Sequence, residues 1–338
     1  MALYRFETYD GPIYAMAELT RTNLRPTQPP PNMWAEPSNY GGSMSQFMAN
    51  ETAIAYCDRR SDSRAVHHLE GKTYNFVTFS KVPSSLGLSG LWGCSSLVIV
   101  SQRGAWVNHM LEAPEFMPLF NVYPRPNKKQ QDAIFMRSVL ASLWVGHYKE
   151  QYPIGLPDLR QKWDANNPEA LDSLLADDAE PHVFLFAPYQ KVSGGPNKHV
   201  EFPIGLPMAY VEYNGMIKDE IQKIFGPAVP FKVVPYAPLQ PTEELFDAYG
   251  QHACFAMGDE HFQTHRGKVL VQYRPASGIS GKASWRVWFE GRELTPDQQH
   301  EWDPMGPFQV AASPPPTAPS PSSPTQVDPA DDDDMVDS

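Results

Sequence analysis

Residues 91–110 read LWGCSSLVIVSQRGAWVNHM, and the reading of the fold starts from them. A glycine leads into a cysteine. An apolar run, a turn, a second run and a histidine follow. Stretches 95–101 and 105–111 predict a β-hairpin around Gln102-Arg103-Gly104, because both arms are strand-like and a short glycine-containing link joins them. With Arg103-Gly104 as the turn, Val98 lies opposite His109. Cys94 is then four residues farther along and, by parity, on the face of His109. Four extended residues span roughly 13 Å. Contact between the two side chains therefore requires the chain at 92–96 to bend back, or a bulge to shift the register.

Outward from this hairpin, the chain reads as strands and helices in mixed order. RAVHHL and KTYNFVTF, joined at Glu70-Gly71, predict a hairpin over residues 64–79. HVFLFAPY (182–189) predicts a buried strand. PFKVVPY predicts an edge strand, since proline cannot donate to a central ladder. GKVLVQYRP (267–275) and ASWRVWFEG (283–291) predict a further hairpin, with Trp285, Val287 and Phe289 alternating against Arg286, Trp288 and Glu290. Helical spacing of apolar residues predicts helices at 129–145 and 215–225, the second stopping before Gly226-Pro227. Shorter helices are expected at 44–56, 168–175 and 243–249. Hairpins mixed with helices give an α+β fold, a sandwich of mixed β-sheets flanked by helices.

The ends differ from the middle. Many of the 35 prolines lie there. Residues 1–44 read as a proline-rich arm laid over the domain, residues 45–302 as the α+β domain, and 303–338 as a Pro/Ser-rich and acidic tail that cannot bury a core. The last eleven residues, DPADDDDMVDS, hold six aspartates, half of the net charge of −12. The remainder is only mildly acidic, which argues against nucleic-acid binding, since that needs a basic surface. No run reaches the length of a membrane span. The first residues lack an apolar signal region, so a cytoplasmic location is the default expectation. Three cysteines are too few for a disulfide framework.

Few residues carry chemistry. His252, Cys254, His261 and His265 offer metal-ligand types, yet neither HExxH nor CxxC spacing is present, and a polar loop ahead of the 267 strand is the simpler reading. YPIGLP at 152–157 returns as FPIGLP at 202–207, which reads as two similar loop entries. No GxGxxG or phosphate loop occurs, and no cofactor or metal is implied. Cys94 and His109 remain. A thiolate is a strong nucleophile, and a nearby histidine can take its proton. Gly93 permits a tight turn before it and would aim the amides of Cys94 and Ser95 at a developing oxyanion. Cysteine is also a common buried core residue, so local physics leaves the structural and the catalytic reading side by side.

The block Leu91-Trp92-Gly93-Cys94, with His109 fifteen residues on, resembles the LxGC signature of the cytotoxic necrotising factor-type protein glutamine deamidases. GCSSLVIVSQRGAWVNHMLEAPEF is also similar to a block of uncharacterised fungal proteins that ends in H-x-x-E-x-P-x-F. The first resemblance implies Cys94 as nucleophile and His109 as base, with a protein glutamine side chain as substrate. The outcome is deamidation through a thioester, or transglutamination. It also implies a third, upstream group, for which Ser89 and Thr78 are candidates. The alternative is a catalytically inactive interaction protein that keeps the fold and works through its arm and tail. The sequence leaves the oligomeric state open.

Overall fold

The computed structural model describes residues 27–30, 32–57, 65–66, 74–91, 93–118, 123–146, 154–161, 173–190, 207–238, 265–276, 281–294 and 300–302. The fold is α+β, as expected. Its strands are β1 (Ala65–Val66), β2 (Tyr74–Thr78), β3 (Ser84–Leu88), β4 (Ser95–Val100), β5 (Gly104–Met110), β6 (His182–Pro188), β7 (Phe231–Tyr236), β8 (Val269–Arg274), β9 (Ala283–Phe289), β10 (Arg292–Glu293) and β11 (His300–Trp302). They form two sheets. One runs β1-β3-β8-β9-β10, with β11 also on β9; the other runs β2-β5-β4-β6-β7.

The sheets face each other because each offers an alternating apolar face. Val98, Val100, Val107, Phe184, Phe186 and Tyr236 of one sheet pack against Leu86, Val271, Tyr273, Trp285 and Phe289 of the other. Phe79 stacks on Tyr273 with ring centroids 4.2 Å apart, and Phe186 meets Phe289 at 4.7 Å. Burying a side chain of this size contributes about 1.5–3 kcal/mol.

Helices cover the outer faces. Helix α1 (Met44–Cys57) and the turn Pro37–Tyr40 lie on the first sheet, where Ala35, Tyr40, Phe47 and Met48 meet Leu270 and Trp288. The part of the expected arm that is described thus joins the core. Arg286, 3% exposed, anchors it. Its guanidinium donates to Glu36 and the Ala35 carbonyl and lies 4.1 Å from the Trp34 ring centroid.

The second sheet is covered by α2 (Lys128–Phe135), a π turn (Met136–Leu140), α3 (Ala141–Val145), α4 (Leu156–Arg160) and α5 (Val211–Phe225). Asn127 caps α2 reciprocally with Gln130. Ile217, Ile221 and Ile224 are the buried stripe of α5. Among the described residues no helix is long and apolar enough to cross a membrane.

Two sequence expectations are corrected. The described strands of the expected 64–79 hairpin do not pair with each other: β1 pairs in parallel with β3 in one sheet, and β2 pairs antiparallel with β5 in the other. The chain changes sheets between them. The β4–β5 hairpin exists, but Ser96, not Val98, lies opposite His109. Its two-residue link is Gln102-Arg103. Ser101 closes it through backbone N–H to the Gly104 carbonyl, while its hydroxyl accepts from the Arg103 and Gly104 amides. The 215–225, 182–189, 231–236 and 267–291 elements stand where the pattern put them, with β7 at a sheet edge. The helix at 243–249, most of that at 168–175, and the tail lie outside the described residues.

Candidate active site

The corrected register decides the geometry around Cys94. It lies two residues, not four, beyond the partner of His109, so about 7 Å of strand separates them instead of 13 Å. His109 follows Ala105 and Val107 on the inward face of β5, and Cys94 packs against the same inter-sheet core. His109 is 2% exposed, whereas Cys94 is half-buried.

The turn before Cys94 is held from far along the chain. The buried hydroxyl of Tyr236, on edge strand β7, accepts from the Gly93 amide at 3.2 Å and donates to the Cys94 carbonyl. Burial, then the nearby Cys94, pushes this hydroxyl well above the usual tyrosine range, so it remains a donor.

Glycine at 93 has a direct cause. Its φ is +149°, and a Cβ there would lie 2.4 Å from a carboxylate oxygen of Glu112. The backbone of Glu112 meanwhile donates its N–H to the Cys94 sulfur at 3.4 Å. Thus Gly93 makes room for a carboxylate beside the thiol. Gly90 is set by its backbone instead: its φ is +91°, while a Cβ on it would meet the imidazole Cε1 only at ordinary contact distance, 3.6 Å.

The segment after β5 fixes Glu112. The carboxylate of Glu115 accepts the Leu111 amide at 2.7 Å, and the Gln131 side chain donates to the carbonyls of Pro114 and Glu115. Phe116 is driven into the helical core against Phe135 and Tyr210. The pattern EAPEF therefore works as an anchor that returns Glu112 to Cys94. Tyr210 closes the cluster, donating its hydroxyl to Glu112 Oε1 at 2.9 Å. Burial, then the Glu112 carboxylate, raises its pKa far above that of a free tyrosine.

Among the sequence candidates, Cys94 and His109 lie on one face, two positions apart in register, and Gly93 immediately precedes Cys94. Ser95 opens β4 opposite Met110, and its side chain, next to the inward Ser96, takes the outward face of the strand. Ser89 is buried and immediately precedes Gly90. Thr78 is remote: it is exposed and pairs with Gly104, five positions and about 17 Å of strand from His109. Of the histidine and cysteine cluster only His265 is described, and its Nδ1 lies 2.9 Å from the Ser45 hydroxyl. No metal-binding group of three or more such side chains occurs among the described residues. The sequence reading missed Glu112, Tyr210 and Tyr236. Glu112 was signalled by its place three residues after His109; the two tyrosines carry no local signal.

Two cavities lie near the cluster without including Cys94 or His109. One of about 1160 Å³ runs along β7 and takes in Tyr236, Arg266 and Glu290; one of about 360 Å³ takes in Tyr210. No protein-family model, curated protein or solved structure matches the chain.

Proposed function

We propose that this chain is a cysteine-dependent amidohydrolase that acts on glutamine side chains. The observation that supports the reading best is the register. It puts Cys94 and His109 on one face of adjacent strands, two positions apart, with the preceding turn pinned by Tyr236.

The chemistry is acyl transfer. Cys94 gives its proton to His109 and attacks the carboxamide carbon, forming a C–S bond. The C–N bond then breaks, and His109 protonates the departing ammonia. Water, activated by His109, hydrolyses the thioester and leaves glutamate. An amine in place of water gives transglutamination. Serving both transfers requires an imidazole that titrates near neutral pH.

Ammonia release from glutamine-containing proteins, with the matching amide-to-acid mass shift, tests this. Loss of both in Cys94→Ala is the expected result. Equal activity in that variant ends the proposal.

A second reading, a non-catalytic interaction protein, draws on a specific observation: His109 is almost wholly buried, and neither cavity includes Cys94. It expects Cys94 to react with iodoacetamide only on unfolding.

A further inference from the structure

We propose that Glu112 and Tyr210 form the subsite that reads the amide nitrogen of the substrate, so that the site accepts an uncharged primary carboxamide and refuses the corresponding carboxylate. This rests on Cys94 being the nucleophile.

Three independent features place the carboxylate for this task. The main-chain N–H of Glu112 points at the Cys94 sulfur, so its side chain branches two bonds from a nitrogen that touches the sulfur. The carboxylate occupies the space that a side chain at 93 would fill. Tyr210 holds Oε1 at 2.9 Å from a backbone with φ +56°, a conformation that bulky residues seldom adopt. Strain of this kind persists where the surroundings enforce it, and it is common at sites that must be preorganised. Because burial and the carboxylate keep the Tyr210 hydroxyl protonated, it orients Glu112 across the usable pH range.

A carboxylate only accepts hydrogen bonds. Beside the thiol it welcomes an amide NH2, which donates, and repels a carboxylate, which does not. It also discriminates along the reaction. Cys94 thiolate attack forms the C–S bond and moves the carbonyl electrons onto oxygen. When the C=O re-forms, the C–N bond breaks, and nitrogen leaves with its electron pair and a proton from His109. As that proton arrives, nitrogen gains positive charge, and its N–H···O contact to the Glu112 carboxylate strengthens. Stabilisation that grows toward the transition state acts on turnover more than on binding. Glu112→Gln therefore lowers kcat more than it raises KM.

The test uses two alkylating agents of similar size, iodoacetamide and iodoacetate, on the intact chain. Labelling of Cys94 is followed by peptide mass mapping, and glutathione supplies the reference rates. Iodoacetamide carries the amide that Glu112 reads; iodoacetate carries the charge that it repels. The amide-to-acid rate ratio at Cys94 is expected to exceed the glutathione ratio about tenfold or more, as one charge a few ångströms away produces. Glu112→Gln brings it to the glutathione value, and Tyr210→Phe brings it part of the way. A labelled Cys94 whose ratio is that of glutathione, or is unchanged in both variants, overturns the proposal and leaves the catalytic reading standing. Failure of both reagents to label native Cys94 overturns the two together.

Discussion

Tyr236→Phe is the sharpest perturbation of the site's framework. The substitution removes one oxygen. The ring, which meets Phe289 at 5.7 Å and 72°, keeps its packing. What is lost is the bridge from Gly93 N–H to the hydroxyl and from the hydroxyl to the Cys94 carbonyl. Tyr236 is 2% exposed, so little water reaches these groups to replace it. A buried donor or acceptor left without a partner costs about 1–3 kcal/mol, and two are affected, so a loss of about 2–6 kcal/mol is expected. That is a sizeable part of a typical stability of about 5–15 kcal/mol. Urea titration followed by tryptophan fluorescence measures it as a lower midpoint at an unchanged slope. Hydrogen exchange supplies the local readout: the Gly93 amide should exchange faster than in the parent. A stability change under about 0.5 kcal/mol, the range of ordinary surface substitutions, together with unaltered Gly93 exchange, refutes the argument that Tyr236 holds this turn.

Other consequences follow from buried charge and close approach. Lys268 is 1% exposed, and burial lowers its pKa to about 8. Between about pH 8 and 10.5 the unfolded chain binds more protons there than the native one, so its penalty is fully present below pH 8 and is relieved as pH rises through this window. Lys268→Met should stabilise the protein at pH 7 by about 1–3 kcal/mol and remove that rise, as read by thermal melts across pH. Tyr236 has the opposite sign. Its raised pKa makes its contribution complete below pH 10 and lost above it, a fall that Tyr236→Phe should flatten. Arg286→Ala should cost about 3–5 kcal/mol, because its hydrogen bonds to Gln272, Glu36 and Ala35 are broken in the interior. It should also expose residues 33–36 to limited proteolysis. Gly93→Ala should cost about 1–3 kcal/mol through its φ of +149° and its collision with Glu112. Adding Glu112→Ala should recover the collision but not the backbone cost, a difference that a double-mutant cycle in urea measures.

The sandwich was legible wherever one face of a strand is uniformly apolar. The alternating Trp285, Val287 and Phe289 form the face of β9 that packs between the sheets, and the prolines of β7 placed it at an edge. Pro235 fits there because alternate N–H groups of an edge strand have no ladder partner to lose. The other face of β9 is buried as well, since Arg286 and Trp288 lie under the 34–40 segment. A distant stretch of chain covers them, which no local pattern reveals.

The register error has a physical origin too. Gly104 looked like a turn glycine. In fact a Cβ on it would lie 2.1 Å from Leu174 Cδ1 and 2.3 Å from the Val77 carbonyl oxygen. It is glycine because strands and loops crowd it, and the turn sits one residue earlier. That one-residue shift moved the strand pairing by two and brought Cys94 closer to His109. The false hairpin at 64–79 has the same kind of cause. Glu70-Gly71 is a good turn signal, but the flanking strands find longer partners in separate sheets. For the proposed site, Cys94 and His109 were singled out by residue type and spacing, whereas Tyr210 and Tyr236 reach Glu112 and Cys94 from 98 and 142 residues away through tertiary packing alone.

The central claim is that Cys94 carries an acyl group in a thioester. Hydroxylamine intercepts such a thioester as a γ-glutamyl hydroxamate, which mass spectrometry of a glutamine-containing protein substrate detects directly. The account predicts hydroxamate with the parent protein, at the expense of glutamate, and none with Cys94→Ala. Hydroxamate that persists in Cys94→Ala, or ammonia release by the parent with no hydroxamate at any hydroxylamine concentration, contradicts it.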